Sequence, residues 1–180
     1  MWPFSKKEKA HPPNVQELGG LIYAGHKQLF EEYCRSYTND RVGFAKKFEQ
    51  ELENFGKNLS EIEQLYVFGR EAGLLLLIDW RGEENAEEIE HFLETRVGHE
   101  MAWGNAVTLR DTTPEDLQRD GKFIKRLFAA LDKDLEATGS RLLFFRLPWD
   151  SYVFMPIEQD LYLEVIRKAP DLFEGCVGRS

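Results

Sequence analysis

Five consecutive apolar side chains, Leu74-Leu75-Leu76-Leu77-Ile78, stand between Gly73 and the polar string Asp79-Trp80-Arg81-Gly82. A run this short, closed at both ends by turn-forming residues, suits a strand buried on both faces; a membrane helix needs about 18 apolar residues. The run therefore predicts a central strand. No apolar stretch in the chain is longer, which also argues against a helix that spans a bilayer.

Upstream of it the periodicity is helical. Val15, Leu18, Ile22, Leu29 and Tyr33 recur at steps of three, four and seven, with His26 on the same stripe as a half-buried core residue. Thr38-Asn39-Asp40 breaks that helix and caps a second, which carries Phe44, Phe48, Leu52 and Phe55. Ser60 with Glu63 forms a capping-box pattern ahead of a third helix that carries Ile62, Leu65 and Tyr66. Downstream, Ile89, Phe92, Leu93 and Val97 make the inward face of a helix that turns Glu87, Glu90, His91 and Glu94 to water. Ala106-Val107-Thr108-Leu109 reads as a second, shorter strand, and Thr113-Pro114-Glu115-Asp116 as the start of a helix that runs to Gly139. Residues 141–147 and 151–155 read as two strands joined tightly across Pro148-Trp149-Asp150, and Pro170 closes a last helix.

This order predicts an α+β (or mixed α/β) fold. About four strands form a mixed sheet with a C-terminal hairpin, covered by helices and preceded by a three-helix segment. Residues 1–13 are expected as a flexible tail. Residues 14–180 are expected as a single domain, helical over 14–72 and sheet-containing over 73–180.

The 180 residues can bury about 70% of their unfolded surface without staples. The 23 Lys and Arg against 32 Asp and Glu leave a net charge of −9, which repels phosphate backbones and anionic lipid. No nucleic acid and no membrane surface is expected as a partner. Cys34 and Cys176 form no C-x-x-C pair, so they read as reduced thiols of a cytoplasmic protein, and the N-terminus lacks the charge-then-apolar order of a secretory leader.

Nucleotide, dinucleotide and nucleophile-elbow motifs are absent, and His99-Glu100 lacks the second histidine of a zincin helix. No cofactor is expected. Cys34, on a predicted helix between tyrosines, reads as inert packing. What remains is topological. If the strands that end at Ile78 and Leu147 run parallel, they deliver Asp79, Trp80, Arg81, Trp149 and Asp150 to one rim, and a parallel middle strand would add Asp111. Converging carboxylates there could hold a divalent ion through Asp79 and Asp150, with Arg81 stabilising anionic charge. The same acids could equally cap turns and pair with Arg81 and Arg146. The acids of residues 83–94, flanked by Trp80 and Trp103, have the charge and aromatics of a surface that binds a basic protein.

Two readings follow. The first is a non-enzymatic protein-binding module, adaptor- or immunity-like, that uses Trp80, Arg81, Glu83, Glu84, Glu87, Trp103 and Trp149 on a partner of basic character. The alternative is a metal-assisted hydrolase or small-ligand enzyme that uses Asp79, Arg81, Asp111 and Asp150. At Leu77-Ile78-Asp79-Trp80-Arg81-Gly82-Glu83-Glu84 and Asp150-Ser151-Tyr152-Val153-Phe154 the chain resembles a family of small bacterial proteins, a domain of unknown function. That resemblance covers the C-terminal two-thirds. It implies a bacterial cytosolic origin and carries no activity, cofactor or site residue.

Overall fold

The computed structural model describes residues 14–176 except 54, 56 and 57, so the expected tail over residues 1–13 lies outside the described residues. The strands are β1 (Leu76–Asp79), β2 (Ser140–Phe145), β3 (Ser151–Glu158) and β4 (Phe173–Glu174), in the order β1-β3-β2-β4. The α+β class and the hairpin β2–β3 are as expected, but every neighbouring pair is antiparallel, so the sheet is not mixed. β1 and β2 do point the same way. β3 returns between them, which makes β1 an edge strand and not the central one.

Proline chemistry explains why β1 pairs over only four residues. Leu142 of β2 stands opposite Pro156 of β3, and the Leu142 amide donates away from β3, to Asp132. The two residues are thus a non-hydrogen-bonded pair, and the proline nitrogen faces the β1 side, where it has no proton to give. The β1 ladder ends two residues earlier, at Leu76 opposite Phe154. Leu74 and Leu75 are buried, yet both donate their amides to the Gly69 carbonyl in the turn that ends the preceding helix. An apolar run reports burial and not which element achieves it.

Helices cover both faces. α1 (Val15–Ile22), α2 (Lys27–Asn39), α3 (Arg41–Lys47), α4 (Glu49–Leu52), α5 (Glu61–Glu71) and, after β3, α9 (Gln159–Lys168) lie on one side. There Leu143, Phe145, Val153, Met155 and Ile157 join Leu18, Phe30, Leu65 and Val165 in one core. On the other side α6 (Glu88–Val97), α7 (Gly104–Thr112) and α8 (Gly121–Glu136) pack Ile89, Leu93, Ala106, Leu127 and Leu131 on Leu142, Phe144 and Phe154. Successive sheet residues thus alternate between two cores, as the period of a strand requires.

Several helices depart from the reading. The first breaks at Tyr23 into one 3-10 turn, Ala24–His26, before α2 starts, so His26 is exposed and Leu29 is 56% exposed. The second breaks at Phe48 into α3 and α4. The strand expected over residues 106–109 is helix α7. Its start is held by Asp134 of α8, whose carboxylate accepts from the amides of Asn105 and Ala106 at 3.1 Å. That capping group lies 28 residues downstream of Ala106, where no local pattern reveals it. The helix expected from Thr113 is a 3-10 turn, Glu115–Leu117, and then α8, capped by Asp120.

α1 and α2 meet at a glycine. A Cβ on Gly19 would overlap the ring of Phe30, which is 1% exposed and enclosed by Tyr23, Tyr33 and Phe68. Gly19→Ala is therefore expected to lose about 1–3 kcal/mol in urea denaturation, the cost of overpacking, despite the better helix propensity of alanine. An unchanged or raised midpoint would show that the ring can move aside.

Candidate functional site

At one end of the sheet the β1 terminus meets the hairpin turn. Asp79 pairs with Ser151, and the Trp80 amide donates to the Asp150 carbonyl at 3.1 Å. Asp79 and Asp150 therefore share a rim. The Asp79 carboxylate is already engaged: Oδ1 accepts from the Arg81 amide at 2.9 Å and from its Nε at 3.1 Å, and these bonds hold the carboxyl below its ordinary range. Asp150 is exposed. Asp111 sits exposed on α7 and comes to the rim by no strand. Trp149 is half-buried between Phe55 and Tyr66, ring centroids 5.4 and 4.9 Å away. Among the described residues no three His, Cys, Asp or Glu side chains group closely enough to hold a metal ion.

Trp80 is different. It is 50% exposed, yet its ring lies across Gly121, the first residue of α8, where a Cβ would stand 3.0 Å from Cε3. The Arg81 guanidinium is 5.7 Å from the indole centroid. A Cβ on Gly82 would lie 3.7 Å from the Gln118 carbonyl, so the turn that presents Trp80 abuts the one that presents the half-exposed Leu117. Glu84 and Glu87 are exposed on the segment that follows.

Their neighbours in sequence turn inward. Glu83 and Glu90 are 9% and 5% exposed, and both bind Arg110 of α7: Nη2 lies 2.6 Å from Glu83 and 2.9 Å from Glu90, and Nε 2.9 Å from Glu90. Glu90 was expected to face water. Its partner, 20 residues ahead on another helix, makes burial tolerable. Burial raises the Glu90 carboxyl above its ordinary value, against the pull of Arg110. Burial also works against the charge of Arg110, but its bonds to Glu83 and Glu90 win and hold the guanidinium above its usual range. Glu83 has a second task. Its Oε1 accepts the Ile89 amide at 2.9 Å and so closes the first turn of α6, whose own cap residue, Glu87, has φ +65° and offers no side-chain bond. Trp103 is half-buried, and its indole N–H donates to Glu94 at 2.9 Å. Of the seven residues expected on a binding surface, Trp80, Arg81, Glu84 and Glu87 are the exposed ones.

The opposite end of the sheet holds a cleft that the sequence reading missed. It is an open cleft of about 650 Å³ between the C-terminal turn of α6, the turn that enters β2, and the junction of β3 with α9. Arg96 and His99 line it from the first, Thr138 and Ser140 from the second, Glu158 and Asp160 from the third. Arg96 and Pro156 also border a smaller hollow of about 160 Å³, which Ile22, Leu74 and Met155 help to line. The available signals were Gly98 and Gly139, both at positive φ in the turns that shape the walls, but nothing in the chain pairs those turns.

Cys34 is buried, and burial pushes its thiol up to about 11, which suits packing and not nucleophilic attack. No helix among the described residues is long and apolar enough to cross a membrane. No curated protein and no solved structure matches the chain. Residues 14–172 match the family described as Domain of unknown function (DUF6630), a span that takes in the N-terminal helices as well as the C-terminal part in which the resemblance was read, and the chain belongs to that family.

Proposed function

We propose that the protein is a non-enzymatic binding module that engages a basic segment of another protein through Trp80, with Arg81, Glu84 and Glu87 around it. The observation that carries this reading is a half-exposed indole whose ring lies across Gly121 and whose own backbone is tied to the Asp150 carbonyl. A large aromatic already ordered in the free protein loses little entropy on binding, which is how interface anchors gain affinity. The net charge of −9 and the exposed acids select a cationic partner and speed its arrival. Cys34 and Cys176, which are not joined to each other in a disulfide, fit a reducing compartment such as the cytoplasm. The carboxylate reading retains Asp79 and Asp150 on one rim, but Asp111 stands apart and Asp79 is occupied by Arg81.

The test is a ¹H–¹⁵N titration of the full chain with Lys/Arg-rich peptides that each carry one leucine or phenylalanine. The Trp80 indole and Gly121 amide signals are expected to move first. Affinity is expected to fall as salt rises from about 50 to about 300 mM, where screening shortens to a few ångströms. Trp80→Ala is expected to abolish the shifts at little cost in stability. Signals that move elsewhere, or not at all for any peptide, would remove the proposal.

A further inference from the structure

We propose that the cleft at the far end of the sheet binds a short free peptide, gripping its ammonium and carboxylate ends separately. This site is independent of the Trp80 surface. β3 runs from Ser151 beside Asp79 to Glu158 in the cleft, eight residues or about 23 Å away.

Three features carry the inference. The first is size: about 650 Å³ lies within the range of pockets that take drug-sized ligands, whereas a lone inorganic ion would leave most of it to water. The second is charge. Two cationic or ionisable side chains, Arg96 and His99, come from the end of α6, and two acids, Glu158 and Asp160, from the β3–α9 junction. A purely anionic ligand would meet the two carboxylates and a purely cationic one would meet the guanidinium, so each gains on one wall what it loses on the other. A ligand with opposite charges at its two ends satisfies both walls. A tripeptide, extended to about 10 Å, has that form.

The third feature is what lies between the charges. Thr138 and Ser140 bring hydroxyls that can donate or accept, as peptide groups demand. The Thr138 hydroxyl donates to the Leu135 carbonyl at 2.8 Å, which leaves its oxygen as an acceptor. At the mouth of α9, Gln159 spends its amide on the Gly139 carbonyl at 2.9 Å, and this bond ties the hydroxyl-bearing wall to the acidic one. The cleft thus sets a hydroxyl-bearing wall, joined by backbone to the acidic one, beside a cationic wall, and its selectivity rests on charge. The adjoining hollow, lined by Ile22, Leu74 and Met155 together with His26 and Arg96, offers room for one side chain of the ligand.

Trialanine is the probe, compared with its N-acetylated and C-amidated forms by isothermal titration and by amide shifts at Gly98, Gly139 and Ser140. Free trialanine is expected to bind in the millimolar range, and blocking either end is expected to weaken it about two- to fivefold, the usual scale for one screened ion pair at an exposed site. Arg96→Gln should erase the penalty of C-amidation and leave that of N-acetylation. Glu158→Gln with Asp160→Asn should do the reverse. All three residues are exposed, so these variants test the cleft without testing the fold. Equal binding of free and blocked peptides, shifts outside the cleft, or the absence of binding by free trialanine at about 10 mM would each overturn the proposal. None of these outcomes bears on Trp80.

Discussion

Arg110→Met is expected to destabilise the protein by about 3–5 kcal/mol at neutral pH, one of the two largest losses expected from a single substitution away from the central apolar residues. Methionine reproduces the length and much of the volume of the arginine stem, so the loss reports charge more than packing. What it leaves is two carboxylates, Glu83 and Glu90, with side chains only 6% and 7% exposed and no cation between them. Burial already raises the Glu90 carboxyl in the intact protein, and without Arg110 the one strong opposing pull is gone. A carboxyl whose pKa is higher folded than unfolded favours the fold when protonated and loses that contribution as pH rises through the folded value. The deficit of Arg110→Met is therefore expected to shrink when urea denaturation is repeated at about pH 5 in place of about pH 7. Adding Glu90→Gln to Arg110→Met should recover a large part of the loss, because a neutral amide replaces the second charge. An equal deficit at both pH values, with no recovery in the double variant, would show that the arginine serves by filling space.

The same network marks where the chain could be read and where it could not. The hairpin was legible because Pro148-Trp149-Asp150 is too short for anything else, and the information sits in five or six adjacent residues. The rim that joins Asp79 to that turn was legible for a related reason: whichever strand lies between, two strands that point the same way end on the same edge. The place of β1 was not legible. It depends on which edge of the hairpin stays open and on a proline that ends the ladder, and neither is a property of the leucines. Residues 106–109 misled because a short apolar stretch with Val107 and Thr108 satisfies strand statistics, while the carboxylate that makes it a helix belongs to Asp134. The acids of residues 83–94 misled in the same way. Charge patterning cannot distinguish Glu84, which is wet, from Glu83, which has found Arg110. The exposure of Trp80 was legible because turn residues surround it and fix exposure locally. The peptide-sized cleft was missed because three turns distant in the chain build it.

Asp132→Ala carries the second large effect, about 3–5 kcal/mol, for a reason that joins helix to sheet. β4 pairs with only Phe144 and Phe145, so among the described residues the first half of β2 has no strand on that side. Asp132 of α8 takes the vacant position. Its carboxylate accepts the Leu142 amide at 2.7 Å and holds Arg141 through Nε at 3.1 Å and Nη2 at 2.6 Å. The hydrogen bonds that Arg141 donates to Asp132 lead the influences that hold its guanidinium above its ordinary range. Alanine strands two groups at once, a fully buried backbone N–H and a guanidinium whose next carboxylate, Glu136, is 3.8 Å away. Asparagine separates them. Its carbonyl can still accept the Leu142 amide while its charge is gone, so Asp132→Asn is expected to lose only about 1–2 kcal/mol. Hydrogen exchange at Leu142 reads the difference directly: fast in the alanine variant, protected in the asparagine variant. Were the two substitutions to cost the same and both leave Leu142 exposed to exchange, the ion pair with Arg141 alone would hold α8 on the sheet, and the carboxylate would not be standing in for the missing strand.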